Sequence, residues 1–238
     1  MKEIFYKLYN SDANSFYALI EKSLKENKKT FIVTANTETF MISNVDNELR
    51  ELLNYKYTII VPDGIAIVKA GKKMNYHIKE RITGIDIAYK LLQYANELNK
   101  KVFLFGAEEK VIVKLKEVVK RDYPNIDLVG ISNGYVEDKD KVFDNIVKLK
   151  PDIVMVAMGI PKQEKLIYKH IDKFDKGLFI GVGGSFDVMS GIKKRCPKLL
   201  IKLNLEWLYR ILKEPKRIKR FTKNNIEFVK EIRKSRGK

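Results

Sequence analysis

The chain has 238 residues, enough for one sizeable α/β core with an appendage, and charged residues make up 32% of it. No apolar run approaches the roughly 20 residues of a membrane-spanning helix, the first residues lack the apolar core of a signal peptide, and a single cysteine, Cys196, excludes an internal disulfide. The net charge of +17 is concentrated at the C-terminal end, where residues 193–238 hold 17 Lys or Arg and 4 Asp or Glu, so we expect a polyanionic partner, either nucleic acid or acidic lipid.

Short apolar runs predict the strands of a sheet. They are Thr30–Thr34, Tyr57–Val61, Lys101–Phe105, Asp127–Ile131, Asp152–Met158 and Leu178–Val182. Runs that are apolar on both faces are typical of a buried, mostly parallel sheet. Segments of helical periodicity lie between them, at residues 14–27, 84–99, 108–121, 138–149 and 162–174. The alternation predicts a doubly wound α/β domain with helices on both faces of the sheet.

The character of the sequence changes after Gly191, so we place a domain boundary near residue 192. Residues 1–192 form the predicted α/β domain, and residues 193–238 form a basic amphipathic helical appendage. Leu199–Lys213 is predicted to be one helix that ends at Pro215, with apolar side chains around most of its surface. Such a helix suits an anionic bilayer surface, whereas packing on the core or on another subunit is the alternative.

Polar and glycine residues follow several of the predicted strands. In an open parallel sheet the carboxyl ends of the strands share one rim, and ligands bind there. The rim candidates are Thr34, Asn36, Asp63, Gly159–Glu164 and Gly181–Asp187. Their convergence on one rim is a stronger indication of a site than any single motif.

Asp63 directly follows a predicted strand, between Pro62 and Gly64. It is either a turn or helix-capping aspartate, or a carboxylate that takes a proton from a nucleophile. The segment Gly181–Asp187 (GVGGSFD) is glycine-rich but is not GxGxxG, and no GxxxxGK[ST] occurs, which disfavours dinucleotide and P-loop sites.

Two further segments could bind an anion. Lys162, Gln163 and Glu164 fall in the first turn of a predicted helix, where they either help to bind a nucleotide or cap the helix. Arg81 precedes another helix and could bind a diphosphate bidentately, although a solvated surface arginine is the usual alternative.

One DxD motif occurs, Asp138-Lys139-Asp140, at the start of a predicted helix. Acidic residues suit a helix N-terminus, so we interpret it as structural. With two histidines, no CxxC pair and no other metal-ligating cluster, we expect no metal cofactor. Negative charge on a leaving nucleotide would then be met by Arg, Lys and helix N-termini.

Ten short motifs in order, among them TAN, VPDG, RITG, MGIPKQE, GVGGSFD, LEWLYR and EPKR, make residues 30–222 resemble the WecG/TagA/CpsF family of bacterial glycosyltransferases, and its TagA branch most. The resemblance implies metal-independent, inverting transfer from a UDP-sugar to GlcNAc on diphosphoundecaprenol. The TagA branch moves ManNAc to the 4-hydroxyl and so makes the linkage unit of wall teichoic acid. Other branches use UDP-ManNAcA or UDP-hexoses, and that alternative stays open.

The resemblance also implies residue roles. Asp63 is the candidate general base, and Thr34 and Asn36 lie beside it to position a sugar. The positions that match or adjoin the expected UDP pocket are Arg81, Gly159, Lys162, Gln163, Glu164, Gly183 and Asp187. The tail arginines that match residues closing over the diphosphate are Arg210, Arg217 and Arg220. Where the family often has Ala-Pro-Arg, this chain has Cys196-Pro197-Lys198.

The expected partners are a UDP-sugar donor, an undecaprenyl-diphosphate-linked GlcNAc acceptor and an anionic membrane surface, with no nucleic acid. The expected location is the cytoplasm, peripheral on the inner face of the cell membrane. A homo-oligomer formed through the catalytic domain stays open. Two other interpretations are a basic nucleic-acid-binding protein and a nucleotide-sugar enzyme with a soluble acceptor.

Overall fold

The structure is a computed structural model. It describes residues 2–215 and 217–236, except for the side chains at positions 2, 217, 220, 221, 235 and 236. The strands form one sheet and are β1 (Lys29–Ala35), β2 (Thr58–Pro62), β3 (Lys101–Gly106), β4 (Asp127–Ser132), β5 (Ile153–Ala157) and β6 (Gly177–Gly181). Their order is β2-β1-β6-β5-β3-β4, and every neighbouring pair is parallel. The predicted strands are confirmed, each end within one residue.

Helices connect the strands and cover both faces of the sheet. Before residue 192 they are α1 (Lys2–Lys7), α2 (Ala13–Lys25), α3 (Thr37–Ser43), α4 (Asn47–Asn54), α5 (Ile65–Lys73), α6 (Gly84–Glu97), α7 (Glu109–Asp122), α8 (Lys139–Leu149), α9 (Lys162–His170) and α10 (Ser185–Met189). The tail adds α11 (Lys198–Lys202), α12 (Glu206–Lys213) and α13 (Arg217–Arg236). The helices predicted from periodicity are α2, α6, α7, α8 and α9, and the last is shorter than predicted because a 3-10 turn, Ile171–Lys173, follows it.

The core lies in two layers, one on each face of the sheet. Along β1, Phe31 and Val33 pack in one layer, whereas Ile32 packs in the other. Residues from α1, α3, α4, α5, α8, α9 and α13 complete the first layer, and residues from α2, α6, α7 and α10 complete the second. Full burial of a large apolar side chain stabilises a fold by about 1.5–3 kcal/mol. Burial on both faces therefore explains why the strands read as continuous apolar runs, and the doubly wound prediction is confirmed.

The prediction of one continuous helix over Leu199–Lys213 is wrong. The helix breaks after Lys202, and Asn204 has a positive φ of 58°. The N–H of Leu205 donates to the carbonyl of Leu200 at 2.8 Å, and that of Asn204 to the carbonyl of Ile201 at 3.0 Å. This is a Schellman ending, in which asparagine tolerates the left-handed conformation that other side chains avoid.

The last helix, α13, packs on the body of the protein. Phe228 and Ile232 are buried in the first core layer, and the ring centroids of Phe228 and Phe40 lie 5.6 Å apart in an edge-to-face contact. For Leu199–Lys213 the membrane-binding interpretation stays a prediction. The domain boundary near residue 192 stays a prediction. Among the described residues, none of the helices combines the length and apolar composition needed to cross a bilayer.

Candidate active site

The carboxyl ends of three neighbouring strands bring the main rim candidates together. β1 lies between β2 and β6, so Asn36, Asp63 and the turn after Gly181 emerge at one edge of the sheet. Adjacent strands are about 4.8 Å apart, so the ends of β2 and β6 are separated by about 10 Å. The N–H of Asp63 donates to the carbonyl of Ala35 at 2.9 Å, which anchors the turn after β2 to β1.

Asp63 is not the N-cap residue of α5. Gly64 occupies the N-cap position of α5 and makes no side-chain cap hydrogen bond. The Asp63 carboxylate instead accepts the backbone N–H of Gly84, at the start of α6. A Cβ atom added to Gly84 would lie 3.5 Å from Thr34 Oγ1 and 3.9 Å from Asp63 Oδ2. Thr34 and Asp63 therefore face the same small volume, and the N-cap position of α5 is excluded for Asp63.

The electrostatic environment suits Asp63 as a base. Removal from water raises its pKa to about 7, while the charges of Arg210 and Arg81 and the Gly84 N–H act to lower it; the charge of Glu206 acts to raise it. A general base works best when its pKa lies near the working pH. Asp63 is half-buried, so a substrate hydroxyl could reach it.

Arg81 is held in place by the tail. Its Nη2 donates to Glu206 Oε2 at 3.2 Å, and its side chain is 14% exposed, so the solvated-surface alternative is wrong. Arg210, one turn after Glu206, donates to the other carboxylate oxygen. Arg217 and Arg220 belong to α13, and their side chains lie outside the described residues.

Thr34 and Asn36 differ in their local contacts. Thr34 is buried at the end of β1. Asn36 caps α3, because its Oδ1 accepts the N–H groups of Glu38 at 2.9 Å and Thr39 at 3.1 Å. Within the described part of the chain its Nδ2 donates no hydrogen bond, and the contact of Asn36 with a sugar stays a prediction.

Gln163 joins the loops that follow β5 and β6. Its Oε1 accepts the N–H groups of Gly159 at 3.0 Å, Met158 at 3.3 Å and Gly183 at 2.9 Å. A Cβ atom at Gly181 would lie 2.4 Å from Gln163 Nε2, so glycine is required there. Gln163 is 2% exposed and lies beneath the rim, where it holds the two loops together. Its side chain does not cap α9. Its contact with UDP stays a prediction.

Glu164 lies beside Gln163 beneath the rim. It is 1% exposed, accepts Gln163 Nε2 at 2.7 Å through Oε1, and has no partner for Oε2 among the described residues. Burial raises the pKa of Glu164 to about 7, against the lowering effect of the Gln163 amide. The contact of Glu164 with the donor stays a prediction.

The remaining pocket candidates lie along the same rim. Gly159 and Gly183 have positive φ angles of 79° and 49°, which favour glycine. Lys162 is exposed at the start of α9. Asp187 is half-buried, and its carboxylate lies 3.2 Å from Lys193 Nζ. Their roles in donor binding stay predictions.

Comparison with known proteins identifies the family. The model of the glycosyl transferase WecG/TagA/CpsF family matches residues 3–238. The chain belongs to this family. It is 41% identical over 212 residues to a protein of Bacillus spizizenii strain W23, covering 89% of this chain and 82% of that protein. It is 40% identical over 212 residues to one of Bacillus subtilis strain 168, with the same coverage, and 38% identical over 209 residues to one of Staphylococcus aureus strain MW2, covering 87% of this chain and 81% of that protein.

All three relatives are called N-acetylglucosaminyldiphosphoundecaprenol N-acetyl-beta-D-mannosaminyltransferase. Family membership makes this chain a glycosyltransferase. A glycosyltransferase needs a group that accepts the proton of the acceptor hydroxyl and groups that stabilise the leaving diphosphate. Asp63 fits the first requirement, and Arg81 and Arg210 fit the second.

Both aspartates of the DKD motif make contacts within the protein. Asp138 caps α8 by accepting the N–H of Lys141 at 2.9 Å. Asp140 pairs with Lys169 at 2.6 Å and with His170 Nε2 at 2.7 Å. In the part of the chain that the structure describes, no group of three or more His, Cys, Asp or Glu residues could hold a metal ion.

Proposed function

We propose that this glycosyltransferase moves ManNAc from UDP-ManNAc to the 4-hydroxyl of GlcNAc on diphosphoundecaprenol, with inversion and without a metal ion. The names of the relatives support the acceptor and the sugar. The observation that carries the mechanism is a rim carboxylate, Asp63, on which the charges of Arg81 and Arg210 act and whose pKa is raised to about 7 by burial.

The reaction is a single displacement. Asp63 accepts the proton of the GlcNAc 4-hydroxyl while that oxygen forms a bond to C1 of ManNAc. The bond between C1 and the β-phosphate oxygen breaks, and UDP leaves with the electron pair. Attack from the face opposite UDP inverts the anomeric centre.

The arginines replace a metal ion in this proposal. Negative charge grows on the β-phosphate as UDP leaves, and guanidinium groups stabilise such charge through planar, bidentate hydrogen bonds. Arg81 and Arg210 each donate from Nη2 to Glu206. Their other N–H groups make no hydrogen bond within the described residues and are left for phosphate oxygens.

The tail supplies a surface for the lipid-linked acceptor. Large apolar side chains of the tail are exposed to solvent: Leu199 at 68%, Leu203 at 57%, Trp207 at 39% and Leu212 at 72%. Basic residues surround them in the sequence. Apolar side chains among basic ones are typical of a segment that binds an anionic bilayer surface, so we place the enzyme at the inner face of the cell membrane.

The deciding experiment offers a panel of UDP-sugars with a short-chain GlcNAc-diphosphate lipid, in the presence of EDTA. We expect transfer from UDP-ManNAc alone, with a β-linked product. Transfer from UDP-ManNAcA or a UDP-hexose instead would replace the donor. Loss of activity in EDTA, restored by Mg²⁺ or Mn²⁺, would contradict the metal-independent mechanism.

A further inference from the structure

Glu206 links two arginines that come from different parts of the chain. It lies in the first turn of α12, and its Oε2 accepts Nη2 of Arg81, 125 positions earlier, at 3.2 Å. Its Oε1 accepts Nη2 of Arg210 from the same helix. The side chain of Glu206 is 12% exposed. One shielded carboxylate therefore bridges the rim of the sheet and the tail.

This bridge lies beside the candidate base. The charges of Arg210, Arg81 and Glu206 all act on the Asp63 carboxylate, together with the Gly84 N–H. Glu206, Arg210 and Arg81 also act on the buried thiol of Cys196, just before α11. The N–H of Ile82 donates to the carbonyl of Pro62 at 2.9 Å, which brings the backbone of Arg81 near that of Asp63.

The negative charge of Glu206 also affects the basicity of Asp63. Two guanidinium groups next to a carboxylate favour its ionised form and weaken it as a base. A second carboxylate between the guanidinium groups offsets part of their positive charge. The arginines can then face a diphosphate while Asp63 stays basic.

We propose that Glu206 is a positioning residue of the transfer reaction, whose carboxylate holds α12 on the rim and orients Arg81 and Arg210 beside Asp63. The inference rests on the proposed function, because that function gives the two arginines their diphosphate. Glu206 touches neither the donor nor the acceptor in this proposal.

The test compares the full-length protein with the isosteric variant Glu206→Gln. Glutamine replaces one of the two acceptor oxygens with an NH₂ donor and removes the charge, so one arginine loses its acceptor and both lose the ion pair. Without substrates, we expect backbone amides of α12 to exchange with solvent about tenfold faster, since charge-assisted hydrogen bonds are lost. We expect a carboxyl ¹³C titration, with Asp63 assigned from the spectrum of Asp63→Asn, to move its pKa downwards. With substrates, kcat should fall about tenfold.

The matched control is Glu231→Gln, which removes a carboxylate from α13 that lies 3.0 Å from Lys234. It should leave all three measurements unchanged. Unchanged exchange of the β1, β5 and β6 amides in Glu206→Gln shows that the variant is folded.

Two results would overturn the inference. One is α12 exchange and an Asp63 titration that match the wild-type protein, whether or not that protein transfers ManNAc. The other is faster α12 exchange with an unchanged kcat, which would make the bridge irrelevant to the reaction. A wild-type protein that is inactive with every UDP-sugar contradicts the proposed function, and the exchange and titration measurements still decide whether Glu206 acts on α12 and on Asp63.

Discussion

At Asp63, burial and two guanidinium groups act on one carboxylate in opposite directions, and burial has the larger effect on its pKa. Replacing Asp63 by Asn keeps the shape but removes the proton acceptor. We expect kcat to fall about 100-fold or more, the usual contribution of a general base, while calorimetry shows unchanged UDP affinity. The control is Asp138→Asn, where asparagine caps α8 as well as aspartate does. Near-wild-type turnover in Asp63→Asn would exclude Asp63 as the base.

The raised pKa of Asp63 predicts that kcat/KM depends on pH. Asp63 must be deprotonated to act, so kcat/KM should rise with pH and level off above about 7, the value to which burial raises its pKa. Arg210→Gln removes a charge that lowers this pKa, so the acidic limb should move to higher pH. Arg50→Gln, on α4, serves as the control. An acidic limb near pH 4, where an unperturbed aspartate titrates, would contradict the assignment.

The sequence could predict single rim residues but not how they pair. Asp63, Thr34 and Asn36 were found because each lies at or just after the end of a strand that is easily recognised. Glu206 was missed as part of the site, since its partner Arg81 lies 125 positions away. The available signal was the spacing of Glu206 and Arg210, which is typical of a helical ion pair. Such pairs are usually solvated and indicate no site by themselves.

At the scale of elements, prediction succeeded where both faces of a segment are buried and failed where a segment is short. The strands are continuous apolar runs because helices cover the sheet on both sides. Helices α3, α4 and α10 have 7, 8 and 5 residues, too few for a clear helical period. The break between α11 and α12 was missed because leucines flank Asn204 on both sides and continue the apolar pattern.

The packing of α13 gives a prediction at this scale. Phe228 is 1% exposed and contacts Phe40, whereas its neighbour Val229 is 46% exposed. Phe228→Ala should lower the free energy of unfolding by about 3–5 kcal/mol, the usual cost of such a cavity. Val229→Ala should stay within about 0.5 kcal/mol. Urea denaturation measures both, and equal stability of the two variants would show that α13 does not pack on the core.

At the scale of the whole molecule, the tail has two sides. One side carries Glu206 and Arg210 to the rim, and α13 packs Phe228 into the core. The other side exposes Leu199, Leu203 and Leu212. In the proposed reaction, the lipid-linked acceptor has its sugar at the rim and its chain in the bilayer. A tail that binds both the rim and the bilayer would bring these two parts of one substrate together.

This arrangement predicts lipid-dependent binding of the whole protein. Leu199→Glu combined with Leu212→Glu removes two exposed apolar side chains and adds negative charge, so it should weaken binding to phosphatidylglycerol vesicles at least tenfold. The control, Val45→Glu, changes a side chain that is 85% exposed on the body of the protein, between α3 and α4. Vesicle co-sedimentation at 50 and 200 mM salt measures both, and salt should weaken the wild-type interaction because basic residues contribute to it. If the double variant sediments like the wild-type protein, the tail is not the membrane-binding surface. If the wild-type protein does not bind vesicles but binds DNA with a steep salt dependence, the basic tail is a nucleic-acid-binding segment instead.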